Sequence, residues 1–110
     1  MSMPDYSKGD LVLVRYPFSN LTAFKVRPAV VVSLPGKYDD MFIVPLTSRI
    51  NGLTDGEFAL SDWSGSGLNV PSAVKRGILL VETSVFLKRV GRLNPEDWKT
   101  LQIGLQLWLG

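Results

Sequence analysis

The segment GDLVLVRYPF places Leu11, Val12, Leu13 and Val14 in one unbroken run before the first charged side chain, Arg15. Side chains alternate sides along a strand, so apolar residues at both parities predict a strand buried on both faces, or a barrel strand. SNLTAFKV then reads as a polar loop, and Pro28 opens AVVVS, a second β-branched run. PGKYDD carries turn residues ahead of MFIVPL, which predicts a hairpin joining the second and third strands.

Residues 51–69, NGLTDGEFALSDWSGSGLN, are rich in Gly, Ser and Asp and predict a loop region with one short strand around Glu57 to Leu60. VPSAVK reads as a strand, ILLVETS fits either a strand or a helical turn, and VFLKRVGRL reads as the last strand. LNPEDWKTLQIGLQLWLG has the grammar of a helix start: Asn94 at the N-cap, Pro95 at the first helical position, and Glu96 and Asp97 where the helix dipole favours negative charge. Trp98, Leu101, Leu105 and Trp108 recur at helical spacing and form one apolar stripe, which assigns both tryptophans to packing. The expected fold is mainly β with minor α, a small SH3-like antiparallel barrel with a C-terminal helix. Residues 1–110 are expected to form a single domain.

Composition narrows the chemistry more than the class. Apolar residues make up 45% and charged residues 20%, an ordinary globular balance that argues against disorder. Cysteine and histidine are both absent. That removes disulfides, thiolate nucleophiles, the usual zinc ligands and the side chain that most often moves protons near neutral pH. No apolar signal core opens the chain and no window is long enough for a membrane span, so a cytoplasmic location without membrane contact is expected. The net charge of +2 is modest, but Lys75, Arg76, Lys88, Arg89 and Arg92 cluster along the chain with only Glu82 opposing them. Such a run suits a polyanion, or forms a solvated face.

Arg27 stands directly before Pro28, where the backbone is held extended. Its planar fork matches phosphate or carboxylate, although a surface arginine with its stem on the barrel is the plainer alternative. Thr47, Ser48 and Arg49 end the third strand with two hydroxyls and a cation, a set that can cradle an anion or simply form a turn. If the hairpin forms, the start of its first strand lies near the end of its second, and Arg27 and Thr47 meet at one edge of the sheet.

GDLVLVRYPF, KVRPAVVVS, VPLTS, GLNVPSAVK and VGRLNPEDWKTLQ, in this order, resemble the signature blocks of the MazF/PemK toxins, the ribonuclease halves of bacterial type II toxin-antitoxin pairs. The resemblance spans nearly the whole chain. It implies a homodimeric endoribonuclease, an mRNA interferase that cuts single-stranded RNA at short sequences without a metal or other cofactor. It also implies a growth-inhibiting toxin held in check by a cognate antitoxin protein. The family's catalytic arginine and threonine fall on Arg27 and Thr47, and Ser48, Arg49, Lys75 and Phe18 are the expected RNA contacts. RNA supplies its own nucleophile in the 2′-hydroxyl, so aligning it and stabilising phosphate charge suffices, and the expected products are a 2′,3′-cyclic phosphate or 3′-phosphate and a 5′-hydroxyl.

Two departures from the family pattern bear on mechanism. Where some members carry Arg-x-Asp, this chain has Lys75, Arg76 and Gly77, which keeps a cation but supplies no carboxylate, so the proton acceptor is left open. Where many carry a G-S-E-Q-like loop before the catalytic arginine, this chain has SNLTAFK. Phe18, Phe24 and Trp63 are candidates for stacking on unpaired bases, with core or dimer packing as the alternative for at least one. Lys88, Arg89 and Arg92 would either attract the RNA backbone or form a solvated edge, and Asp39 and Asp40 belong to a turn. Two other readings stay open: a non-enzymatic toxin of the same fold that binds DNA gyrase, like CcdB, and an inactive relative that binds only RNA or antitoxin.

Overall fold

A computed structural model describes residues 6–17 and 24–110 of the chain. β1 (Asp10–Pro17), β2 (Phe24–Val31) and β3 (Asp40–Thr47) form an antiparallel meander. They are followed by β4 (Phe58–Ala59), β5 (Ala73–Val74), β6 (Leu79–Glu82), a 3₁₀ turn (Thr83–Val85), β7 (Phe86–Arg92) and helix α1 (Pro95–Leu109). The strand order is β4-β5-β3-β2-β1-β7, with β6 paired to β3 off this path.

The apolar parity of β1 has a direct structural counterpart. Leu11 packs with Val30, Val44, Leu46, Val74, Leu93 and Leu101 on one side of the meander. Val12 and Val14 pack with Ala29, Val31, Met41, Ile43 and Phe86 on the other. The first cluster is covered by α1, whose Leu101 is fully buried and whose Trp98, Leu105 and Trp108 lie against it, as the helical stripe predicts. Tyr6 closes the second cluster with an edge-on contact to Phe86, ring centroids 4.8 Å apart.

Three sequence expectations are corrected. β2 begins at Phe24, before Pro28, because residues 24–27 continue the ladder with β1 from Pro17↔Phe24 to Val14↔Arg27. VPSAVK contributes only Ala73 and Val74 as strand, held between β3 and β4. The sheet does not close into a barrel through strand pairing among the described residues. The Ser66–Gly67 turn lies against Val90 and Gly91 of β7 so closely that a Cβ on Gly67 or Gly91 would meet the opposing carbonyl. A turn is therefore packed directly onto β7, where only glycine leaves room for it.

The segment ILLVETS is both of its alternatives in turn, strand to Glu82 and then the 3₁₀ turn. The helix begins as its sequence predicts: the Asn94 side chain accepts the Asp97 N–H at 2.7 Å. Asp97 does more than complement the dipole. Its buried carboxylate accepts the Ser61 N–H through both oxygens, at 3.2 and 3.0 Å, and so ties the helix start to the covering turn. Trp108 ties down the other end, donating its indole N–H to the carbonyl of Asp55 at 2.9 Å.

Candidate active site

Two prolines shape the site by where their missing donors fall. The N–H of Val32 donates to Phe42 of β3, so by strand alternation the donor positions of Val30 and Pro28 face the same way. Pro28 has no N–H, and the β2–β3 ladder stops at Ala29↔Pro45, one residue before it. Pro45 lies in the corresponding gap on the other side of β3, between its last rung with β6, Ile43↔Leu79, and its first rung with β5, Leu46↔Val74. Beyond Ala29↔Pro45, β3 is paired with β5 while β2 stays with β1. The two strands part company there, and a groove opens between them.

That groove has a volume of about 590 Å³ and is lined by Arg27, Pro45, Leu46, Thr47, Ser48, Arg49 and Lys75. Arg27 reaches it from β2 and Thr47 from the end of β3, at the shared sheet edge that the hairpin predicts. Thr47 Oγ1 accepts the Arg49 N–H at 3.1 Å, a side-chain turn that folds Ser48 and Arg49 back beside it. Lys75 follows β5 and is fixed by its own N–H, which donates to the Pro45 carbonyl at 2.9 Å. Three cations and two hydroxyls thus face one open space, and no carboxylate is among the described residues that line it. Fixed positive charge with hydroxyl donors is a set that can bind a phosphate-type anion and stabilise charge on it. No group of three or more metal-ligating side chains is found among the described residues.

One carboxylate close to this edge is visible in the sequence only as part of a short strand. Glu57 Oε2 accepts the Arg76 N–H at 2.8 Å, and Oε1 accepts the N–H and hydroxyl of Thr54 at 2.7 and 2.8 Å. These bonds, the one from Arg76 foremost and then those from Thr54, hold its pKa below the ordinary value of 4.5, and the charge of Lys75 acts in the same direction. The signal that could have found it is the Thr-x-x-Glu spacing of TDGE, which has the form of a capping box.

The basic run from Lys75 to Arg92 does not form one face. Lys75 lines the groove, whereas Lys88, Arg89 and Arg92 lie on β7, separated from β3 by β2 and β1 in the strand order. Arg89 and Arg92 are ion-paired with Asp10, at 3.0 and 2.8 Å, and that carboxylate is almost fully buried. Trp63 packs against the core beside α1. Phe18 lies outside the described residues, and Phe24 begins β2. Asp39 and Asp40 close the β2–β3 hairpin turn, where the Gly36 N–H donates to the Asp40 carbonyl at 2.7 Å.

Fold and groove together define an antiparallel β protein with a cationic, hydroxyl-bearing site at a sheet edge. Residues 7–109 match the family model described as PemK-like, MazF-like toxin of type II toxin-antitoxin system. The chain belongs to this family. Among solved structures, MazE-MazF (Form-II) from Deinococcus radiodurans is similar at a TM-score of 0.78 and 21% identity, covering 100% of this chain and 98% of that one. Mycobacterium tuberculosis toxin MazF-mt6 is similar at a TM-score of 0.73 and 16% identity, covering 91% and 95%. An endoribonuclease in complex with its cognate antitoxin, from Mycobacterial species, is similar at 0.74 and 17%, covering 98% and 96%. These similarities establish a shared fold. No curated protein sequence gives a significant match.

Proposed function

We propose that this toxin is a metal-independent, sequence-selective endoribonuclease that cleaves single-stranded RNA in the groove between β2 and β3. The observation that carries the reading is the convergence of Arg27, Thr47, Ser48, Arg49 and Lys75 on one open space. The scissile phosphate sits between Arg27 and Thr47. The Arg27 guanidinium holds the nonbridging oxygens and donates a proton toward the departing 5′-oxygen, and the Thr47 hydroxyl donates a hydrogen bond to the phosphate. The adjacent 2′-hydroxyl attacks phosphorus in line and gives up its proton to solvent, the bond to the 5′-oxygen breaks as that oxygen takes the proton from Arg27, which solvent restores, and the products are a 5′-hydroxyl end and a 2′,3′-cyclic phosphate, which adds water to open to the 3′-phosphate. Ser48, Arg49 and Lys75 hold neighbouring phosphates and fix the strand along the groove.

Family membership supports the physiological frame. The toxin acts in the cytoplasm as a homodimer, and a cognate antitoxin covers the groove with an acidic segment that opposes its positive charge. No helix among the described residues is long and apolar enough to cross a membrane.

The attack by the 2′-hydroxyl is tested by substrate chemistry. Once a cleaved oligonucleotide is found, the same sequence is prepared with a single 2′-deoxy sugar on the 5′ side of the cut. The expected result is an intact deoxy-substituted strand and a 5′-hydroxyl on the product of the parent. Cleavage of the substituted strand at the same bond would refute this mechanism.

A further inference from the structure

Glu57 lies one register step beyond the β4–β5 pairing, at the level of the groove residue Lys75. β4 and β5 pair through Phe58↔Val74 and Ala59↔Ala73, and one step further in the same register Glu57 stands opposite Lys75. On the other flank β3 and β5 pair through Leu46↔Val74, which sets Pro45 beside Lys75, and the Lys75 N–H bond to the Pro45 carbonyl makes that contact real. β5 is only two residues long, so ladder hydrogen bonds alone fix little of the chain that leaves it. The following N–H, that of Arg76, goes to no strand and is taken by the Glu57 carboxylate at 2.8 Å.

We infer that Glu57 is a positioning residue of the nuclease site, a clamp that holds the Lys75–Arg76 backbone against the end of β3 so that the Lys75 ammonium faces the RNA path. Chemistry explains why a carboxylate stands there. Donors approach both oxygens at once, Arg76 on Oε2 and the Thr54 N–H and hydroxyl on Oε1. Only an ionised acid accepts at both ends, whereas the amide of glutamine turns a donor toward one of these partners. The positive charge of Lys75 also favours the ionised form of Glu57. Gly77 offers no side chain to the segment after β5, and Glu57, just ahead of β4, is the acid whose register position lies opposite this cation. It does not line the groove, so it acts through Lys75 rather than on the phosphate.

The inference rests on the nuclease reading for its function, and the test separates the two. A fluorescein-labelled single-stranded 2′-O-methyl oligonucleotide, which cannot be cleaved by 2′-hydroxyl attack, is titrated with wild type, Glu57→Gln, Lys75→Ala and the double variant in excess chelator. Glu57→Gln is expected to weaken binding about fivefold in the presence of Lys75 and by less than about twofold in the Lys75→Ala background, a coupled pair rather than two independent effects. Backbone amide exchange at Arg76 is expected to accelerate in Glu57→Gln, while exchange at Leu46 and Val74 stays unchanged. Should Glu57→Gln fail to fold, Thr54→Ala removes one of the carboxylate's donors and is expected to show the same coupling with smaller amplitude. Equal weakening with and without Lys75, or unchanged Arg76 exchange, would overturn the clamp. Coupled binding with unmodified RNA left intact would retain the clamp and reject the nuclease, cleavage without coupling would do the reverse, and no binding by wild type would reject both.

Discussion

Arg27 stands opposite Thr47 when the β2–β3 register is carried two residues past its last rung, Ala29↔Pro45. The pair occupies a rung that never forms, because Pro28 has no donor to offer β3 and β3 has by then turned to β5. Two side chains that a continuous sheet would pack against each other face an open groove instead. Thr47 also holds the turn, through the Arg49 N–H, so its hydroxyl serves the shape of the site as well as the chemistry proposed for it. Thr47→Ser keeps the oxygen and is expected to retain most of the RNA cleavage rate, whereas Thr47→Ala is expected to lose about 100-fold or more in single-turnover assays. Equal rates for the two variants would remove the hydroxyl from the mechanism.

Arg49 and Lys75 are exposed cations at the groove, and the proposed mechanism sets them against the phosphates flanking the cut. Removing either cation should reduce the salt dependence as well as the affinity, because fewer counterions are then released on binding. For Arg49→Ala and Lys75→Ala, the slope of log K against log salt is expected to fall in magnitude by about 0.7 for each phosphate no longer neutralised on a single strand. The measurement is a salt titration of oligonucleotide binding. A weaker affinity with an unchanged slope would assign these residues to the shape of the protein.

Asp10 holds β1 to β7 by accepting from Arg89, Arg92 and the Ser7 N–H while almost fully buried. Its arginine partners are about half exposed, so solvent screens the pairs and the removal of Asp10 leaves no stranded buried cation. Asp10→Ala is expected to cost about 2 kcal/mol, mostly from the three charge-assisted bonds it removes, and to lower Tm by about 10 °C in a thermal melt. The RNA cleavage rate of the folded variant is expected to stay near wild type, because β7 lies at the far end of the strand order from β5.

Glu57 contributes to stability in a pH-dependent way whose sign is fixed by its bonds. Its pKa is below 4.5 in the folded chain, so its contribution is fully present above that pH and is lost as pH falls through the depressed value. The stability difference between wild type and Glu57→Gln, read from denaturant melts, is expected to be constant from pH 7 to about pH 5 and to shrink at lower pH. A difference that grows on acidification would contradict the hydrogen-bonded, ionised carboxylate.

Much of this architecture was legible in the residues themselves. The apolar parity of β1 announced two packed faces, and Asn94-Pro95 announced the helix start, because both signals arise within a few residues. The meeting of Arg27 and Thr47 followed from one hairpin. What the sequence hid depended on partners distant along the chain. Pro28 looked like the first residue of a strand, since nothing local reveals that its missing donor falls beyond the end of a ladder. Arg89 and Arg92 looked like surface charge, since their partner Asp10 lies some eighty positions away. Glu57 reads locally as strand, since its partner Arg76 lies nineteen positions downstream.

The most direct measurement is to incubate wild type and Arg27→Ala with a long single-stranded RNA in excess chelator and to map the ends of any fragments. The expected result is a set of discrete cuts bearing 5′-hydroxyl ends, slowed by about 100-fold or more in Arg27→Ala while its melting temperature stays unchanged. Intact RNA with wild-type protein that still arrests growth, or cuts of equal rate from both proteins, would contradict a nuclease built on Arg27.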